Sequence, residues 1–501
     1  MKLIELCQAA NIRCAVGQEQ SEVRAIVTDS RRALPGCMFV CIRGLRQDGH
    51  KFVKDAVERG AKWIVAEDEA IDPGLPATVL WTKDTRRALA SVMDAWNGYP
   101  SKKMTFVGVT GTNGKTSVTC MIHHVLQSCG IACGLIGTLG AKTNGIMKSV
   151  TSTDPNANMT TPEPEVLYAL LADMYASGVR TVAMEVSSHA LAQGRVAPLR
   201  FRVGVFTNLT PEHLDFHSNM DEYADAKASM FSQCDCAIIN ADSPYAERMM
   251  RSAGKYITCS QELLVADCPI EKVVLDALGC TYRLRFGNDE QTVVCPVQGV
   301  FSVMNSAEAI LACERLGVPL SDSCDVMKRF KGVRGRMERV SLPESAPFSA
   351  IIDYAHTPDA LKNLLESIRA SNPKGRIVLL FGCGGDRDAT KRSVMGRISS
   401  ALADHVIVTS DNSRSESTDS ILREIVKGID FSTPCTIISD RAEAIEYAVK
   451  TAKKGDVLVL AGKGHEEYEI GKDGKKPFSE IRAVQSAYQN KIECEERDVL
   501  P

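Results

Sequence analysis

The decapeptide GVTGTNGKTS, Gly108–Ser117, follows the apolar run Met104-Thr105-Phe106-Val107 and runs into helix-forming residues. A glycine-rich turn between a strand and a helix lets successive backbone N–H groups converge on an anion. The helix N-terminus adds its positive end. Gly111, Thr112, Asn113, Gly114, Lys115, Thr116 and Ser117 are therefore candidate phosphate contacts. Lys115 is placed to reach the β- and γ-phosphates of a nucleotide, and the Thr116 hydroxyl to ligate Mg2+. The longer pattern G-x-x-x-x-G-K-[ST] is not met, because position 109 is valine. The loop is a shorter G-x-x-G-K-T form.

Downstream, the apolar runs "IACGLIG", "TVAMEVSS", "FRVGVFTNL" and "DCAIINA" alternate with helical runs such as "EVLYALLADMYASG". Apolar strands separated by amphipathic helices indicate a parallel sheet covered on both faces. After "FKGVRGRMERV" the alternation resumes with "SAIIDYA", "RIVLLFG", "HVIVTSD", "CTIISD" and "DVLVLAG", a second unit of nucleotide-binding size. Upstream, "MFVCIRG" and "KFVKDAVERGAKWIVAE" mix short strands with helices, and "WNGYPSKK" reads as a linker. The expectation is an α/β chain of three domains. A smaller α/β domain spans 1–98, a central phosphate-loop domain with a parallel sheet spans 99–335, and a Rossmann-like domain spans 336–501. Ligands are expected in the clefts where the sheets end.

The length of 501 residues fits about three domains. A net charge of −3 gives no general attraction to nucleic acid or anionic lipid. No apolar run approaches the ~20 residues that span a bilayer. The opening "MKLIELCQAANIRCAVGQ" is interrupted at Glu5 and Gln8, a poor signal peptide, so a cytoplasmic location is expected. None of the 18 cysteines forms a C-x-x-C pair, and most sit in apolar runs. They read as small buried hydrophobes in a reducing compartment.

Three further stretches bear on the chemistry. In "AMEVSSHAL", Glu185 ends a strand and is a candidate Mg2+ ligand. Ser187, Ser188 and His189 raise serine hydrolysis, but no G-x-S-x-G elbow surrounds them. As neighbours in an extended run, Ser188 and His189 would also face opposite ways. "FTNLTPEHLDFH" gathers Asn208, His213, Asp215 and His217, either as a capped helix start or as a second hard-cation site. Lys227, in "DEYADAKASMF", reads by itself as a solvated helical lysine.

The motifs "GTNGKT", "EVSSHAL", "FTNLTPEHLDFH", "GRMERV", "DYAHTPDAL" and "GCGGDRD" stand in the order found in the Mur ligases, which this chain resembles over nearly its whole length. "VTDSRRALPGCMFVCIRG" with "DGHKFV" resembles that family's N-terminal UDP-binding domain, and "AGKGHEEYEI" its C-terminal end. The resemblance implies an ATP-dependent ligase of peptidoglycan synthesis. ATP's γ-phosphoryl goes to the carboxylate of a UDP-N-acetylmuramoyl dipeptide, and the amine of an amino acid attacks the acyl phosphate. It implies Lys115, Lys227, His213 and Glu185 as the catalytic set. Thr116, Glu185, His213 and Lys227 would hold Mg2+, as two ions in this family, with Lys227 carbamylated by CO2. Asn305, Arg336, Asp353 and His356 resemble nucleotide contacts. Ser30, Thr160, Thr161, Ser187, Gln193 and Arg195 resemble contacts to the UDP-sugar peptide. A monomer that closes on ATP is implied, with no nucleic acid partner and no membrane insertion.

In this family a loop after a C-terminal strand reads the incoming amino acid, here Asp411-Asn412-Ser413-Arg414. Members that use meso-diaminopimelate carry D-N-P-R, whose arginine pairs with the distal carboxylate, whereas L-lysine members lack the arginine. Arg414, with Arg387, Gly462 and Glu466, therefore implies meso-diaminopimelate over L-lysine. Ser413 replaces the proline that would fix the turn, which leaves Arg414 free to swing. The rival readings are the same ligase adding L-lysine or another diamino acid, a folate-extending glutamate ligase of the same superfamily, and a non-catalytic ATP-binding paralogue.

Overall fold

The run Thr105–Thr110 forms a strand whose last five residues are all buried, as its unbroken apolar character requires for the middle of a sheet. It lies between strands Phe201–Phe206 and Thr181–Glu185, both parallel to it. The computed structural model describes residues 1–44, 47–67, 71–148, 159–214, 216–276 and 278–499. Asp215, one of the four residues singled out in the 208–217 stretch, lies outside them.

The molecule is built on three main sheets. The first is a four-stranded parallel sheet, Ala25–Val27, Cys37–Val40, Ala61–Ala66 and Thr78–Trp81. The second has eleven strands, of which seven neighbours from Cys268–Asp276 to Cys133–Gly137 pair in parallel. At each end it turns antiparallel, through Gly279–Phe286 and Asp289–Cys295 on one side and Gly140–Thr143 and Ile146–Lys148 on the other. The purely parallel sheet expected for the middle of the chain is thus extended by hairpins at both edges. Tight turns such as Asn144-Gly145, both at positive φ, make those reversals. The third sheet has six strands, five of them parallel, with Glu338–Arg339 antiparallel at its edge.

Strand register sets where the functional loops emerge. In the central sheet, Val109 pairs with Glu185 and Thr110 with Phe206, so three strands end level. The turn Gly111–Gly114, the residues after Glu185 and the 207–217 segment all leave from that edge. In the third sheet, Asp353 and Phe381 both align with Ala461, and Phe381 with Val408. The four following loops, 354–357, 382–388, 409–416 and 462–466, share one edge. Ligand crevices in open α/β sheets lie at such carboxyl edges.

Three apolar cores line the first two sheets. One joins Leu3, Trp63 and Leu89 of the N-terminal part to Phe106, Tyr168 and Phe206 of the central part. The third sheet is sandwiched between cores whose buried members come from residue 337 onward. Among the described residues the cysteines are free thiols, most of them buried. Also among them, no helix is long and apolar enough to cross a membrane.

Candidate active site

Helix Lys115–Ser128 starts at Gly114 with no side chain capping its first N–H groups, which leaves those donors for an anion. Gly111 and Gly114 both have positive φ, and a Cβ at either would meet Thr207 Oγ1 or Asn305 Oδ1. Only glycine fits there. The loop is braced from the 207–210 segment. Thr112 N donates to Asn208 O (2.9 Å), Asn113 N to Asn208 Oδ1 (2.9 Å), and Thr207 Oγ1 to Asn113 O (2.6 Å). Asn208 therefore holds the phosphate loop. Lys115 Nζ folds over the turn onto Gly111 O (2.8 Å) and Thr112 O (2.7 Å).

Glu185 stands beside this loop. Its carboxylate accepts from Thr116 Oγ1 (3.1 Å), Thr138 N (2.9 Å) and Thr138 Oγ1 (3.1 Å), and Thr138 also bonds Thr160 (3.2 Å). Thr161 Oγ1 donates to Glu185 O (2.9 Å) and accepts from Ser187 N (3.0 Å). Ser187 caps a short helix, Ser188–Ala192, which corrects the extended reading of Ser188 and His189. The Ser187 side chain accepts from the Ala190 N–H, so the segment turns helical at Ser188, two residues after Val186. Arg195 donates to Thr161 O (2.7 Å), to Gln193 (2.6 Å) and to Glu163 (2.7 Å). It braces the 160–163 turn from within. Thr160, Thr161, Ser187, Gln193 and Arg195 thus form one cluster with Glu185. Ser30, buried in the N-terminal sheet's loop, bonds Asp55.

The four residues expected to hold metal fall into two pairs. Thr116 and Glu185 touch. His213 and Lys227 flank the Tyr223 ring, the His213 centroid 6.1 Å and the Lys227 Nζ 4.7 Å from it. Among the described residues, no three His, Cys, Asp or Glu side chains converge as a ready metal nest. His217 is buried against Tyr223, with centroids 5.1 Å apart, and belongs to the packing of the 213–223 turn.

Lys227 is 1% exposed and donates to Gly111 O at 2.7 Å. Burial, aided by the Lys115 charge, holds its pKa well below that of an ordinary lysine. Such an amine is available in the neutral form that CO2 needs.

Glu212, in the FTNLTPEHLDFH stretch, is a further member of this site that the local sequence does not mark. Burial would raise its carboxyl. The nearby His356 ring and the charges of His213 and Lys115 outweigh that and hold it far below the carboxylate range. Glu212 lies 3.6 Å from both His213 and His356. It joins the central edge to the third sheet, as do Asn113 Nδ2 to Asp359 (2.9 Å) and Arg336 to Thr116 (3.4 Å). Arg336 also covers the Tyr354 ring at 4.6 Å. Asp353 accepts from Met337 N and Ala355 N, and Asn305 packs on Gly114. Asn305 and Arg336 therefore border the phosphate loop, whereas His356 reaches that edge through Glu212 and Asp353 stands beside Arg336.

The second part of the cleft is the 411–414 loop. Arg414 sits at φ +52°. Its backbone N–H donates to Ile470 O (3.0 Å), and its Nη1 to Gly385 O (2.7 Å) and Asn412 O (3.3 Å). Ser413 does not leave Arg414 loose, because these bonds replace the stiffness of a proline. Arg392, 1% exposed, bolts the loops from behind by pairing with Glu416 at 2.9 Å and donating to Gly384 O. Asn412 Nδ2 donates to Glu466 (2.7 Å). A Cβ on Gly462 would come within 3.3 Å of Asp411, and its φ of +115° suits glycine. Arg387 stands exposed on the outer rim of the 382–388 loop.

Three family descriptions match the chain. They are "Mur ligase family, catalytic domain" over residues 22–97, "Mur ligase middle domain" over 109–313, and "Mur ligase, glutamate ligase domain" over 335–464. The chain is 40% identical, over 98% of its length and 100% of the relative's, to the UDP-N-acetylmuramoyl-L-alanyl-D-glutamate–2,6-diaminopimelate ligase of Syntrophomonas wolfei. A solved structure of a ligase of that same description superposes with a TM-score of 0.70 at 30% identity, covering 98% of this chain and 100% of the other. The folylpolyglutamate synthase of Mycobacterium tuberculosis shares the fold more distantly, with a TM-score of 0.63 at 16% identity over 80% of this chain and 94% of the other.

Proposed function

Because the chain belongs to the Mur ligase family, we propose that it joins meso-diaminopimelate to UDP-N-acetylmuramoyl-L-alanyl-D-glutamate, with ATP activating the glutamate carboxylate as an acyl phosphate. It is an ATP-dependent amide-bond ligase. A carboxylate is a poor electrophile and needs a leaving group before an amine can attack. Phosphoryl transfer to it asks for alignment and charge neutralisation more than for a protein nucleophile. The uncapped helix N-terminus and Lys115 meet that need at the phosphates, with Asn305, Arg336, Asp353 and His356 as the nucleotide's other wall. We assign residues 1–98 to the UDP end, 99–335 to ATP and the activated carboxylate, and 336–501 to the amino acid. Ser30 is assigned to the UDP end, and Thr160, Thr161, Ser187, Gln193 and Arg195 to the peptide end.

Mg2+, held by Thr116, Glu185, His213 and a carbamylated Lys227, would supply further neutralisation of the phosphates. The Lys227 amine attacks CO2 through its lone pair and loses one proton to solvent. The remaining carbamate N–H can keep the bond to Gly111 O. Protein equilibrated with 13C-bicarbonate is expected to show one carbamate 13C resonance that Lys227→Arg removes. Persistence of the resonance in that variant would refute the assignment.

The observation that carries the choice of amino acid is that Arg414 and Glu466 both bond Asn412, Arg414 at its backbone carbonyl and Glu466 at its side-chain amide. A cation for a distal carboxylate and an anion for a distal ammonium suit a two-headed amino acid. L-lysine offers only the ammonium. Phosphate release from ATP and the UDP-muramoyl dipeptide should depend on meso-diaminopimelate. Turnover with L-lysine and none with meso-diaminopimelate would overturn the choice, and no release with any amino acid would favour an ATP-binding paralogue.

A further inference from the structure

Behind the Arg414 loop lies a buried run of alternating charge, of which the assignments above leave Glu480, Arg441 and Lys463 unused. Glu480 and Arg441 pair at 2.7 Å, their side chains 1% and 0% exposed. Arg441 also donates to Ser410 O and Ala461 O, the residues just before Asp411 and Gly462. Next comes Asp411, and then Lys463, whose Nζ lies 3.5 Å from Asp411 Oδ1 and 3.2 Å from Asn412 Oδ1. The Lys463 side chain is 0% exposed. The run ends at Glu466, which accepts from Asn412 Nδ2.

A primary amide has one accepting end and one donating end. Asn412 Oδ1 receives both the Lys463 ammonium and the Ile470 N–H (2.9 Å), which leaves its NH2 for Glu466. Turned over, the amide would set its NH2 against an ammonium and an N–H, and its oxygen against a carboxylate. The buried cation therefore decides which way Asn412 faces.

We propose that Lys463 is a positioning residue for amino-acid specificity, fixing the Asn412 amide so that Glu466 is held toward the ammonium end of the substrate that Arg414 grips. The inference rests on the acceptor reading above. Glu466 is faced by Asp411, Lys463, Arg414 and Tyr354. Burial and Asp411 push its carboxyl upward, while Lys463, the Asn412 bond and Arg414 oppose them. Removing the Lys463 charge therefore leaves Glu466 protonated at a higher pH than in the native enzyme.

The test is KM for meso-diaminopimelate against pH in the full-length enzyme and in Lys463→Met, Lys463→Gln and Lys463→Arg. The Met and Gln variants are expected to raise KM about tenfold with little change in kcat, the size of one charge-assisted hydrogen bond. In both, the acid limb of 1/KM should move to higher pH, whereas Lys463→Arg should keep it in place. An unmoved limb in Met and Gln overturns the proposal, as does a limb in Arg that moves with Gln. Should Lys463→Met fail to fold, the Gln–Arg comparison decides. If the native enzyme uses L-lysine and not meso-diaminopimelate, the acceptor reading falls. The same profile is then run on lysine, and an unmoved limb still overturns the role of Lys463.

Discussion

Lys115→Ala is expected to cut the rate of amide formation by about 10²–10³-fold or more, the cost of removing one preorganised charge from a developing anion. The fold should survive the change. The phosphate loop is tied to Asn208 and Thr207 by bonds that do not involve Lys115. What disappears is the half-buried ammonium that bonds Gly111 O and Thr112 O and sits in the fields of Glu212, Glu185 and Arg336. A second loss follows at Lys227. The Lys115 charge helps to hold Lys227 neutral, after burial itself. Without it a larger fraction of Lys227 is protonated and closed to CO2. The 13C carbamate signal should therefore weaken together with phosphate release. Near-native turnover at an unchanged melting temperature would remove the phosphate loop from the chemistry.

Arg414→Ala should fall mainly on KM for meso-diaminopimelate. Losing a buried charge partner costs about 2–5 kcal/mol, or roughly 30- to several-thousand-fold in affinity. The loop itself should hold its course, because the backbone N–H at 414 stays on Ile470 O. Arg414→Lys should restore only part of the affinity, since a lysine is a point charge without the planar fork that matches a carboxylate. KM for ATP should not change. A variant that binds meso-diaminopimelate normally would mean that Arg414 does not read the amino acid.

Most of the α/β scaffold was legible in the sequence because buried parallel strands are nearly all apolar. "RIVLLFG" and "DVLVLAG" announce themselves, and Gly111-Thr112-Asn113-Gly114 marks its own turn. Other features had no such signal. The antiparallel borders at Gly140–Lys148 and Gly279–Cys295 depend on register and edge pairing, which local pattern leaves open. Ser188 and His189 read as strand because the apolar run before them continues through Val186, and the Ser187 cap becomes visible only in three dimensions. Glu212 sat between a proline and a histidine and looked like any helix-start acid. Its interest comes from His356, far along the chain. Lys463 lies between two glycines, where a lysine ordinarily reads as surface.

The way the apolar interior is divided has a mechanical consequence. The first two sheets share one continuous oily seam, from Leu3 and Trp63 through Phe106 to Met249. Separating them would strip water-shy surface from both at once, so they should melt as a single cooperative block. The last third has an interior of its own, against which Phe301 of the block packs, and meets the block at this cleft through hydrophilic handshakes: Asn113 to Asp359, Thr210 to Asp359, Glu212 to His356. Water can replace those partners at little net cost. The connection between the two bodies passes through Gly332, Gly335 and Met337, all at positive φ. A cleft hung on such a joint is expected to open for ADP and a bulky product to leave, which scattering from the protein with and without nucleotide would register as a change in its dimensions.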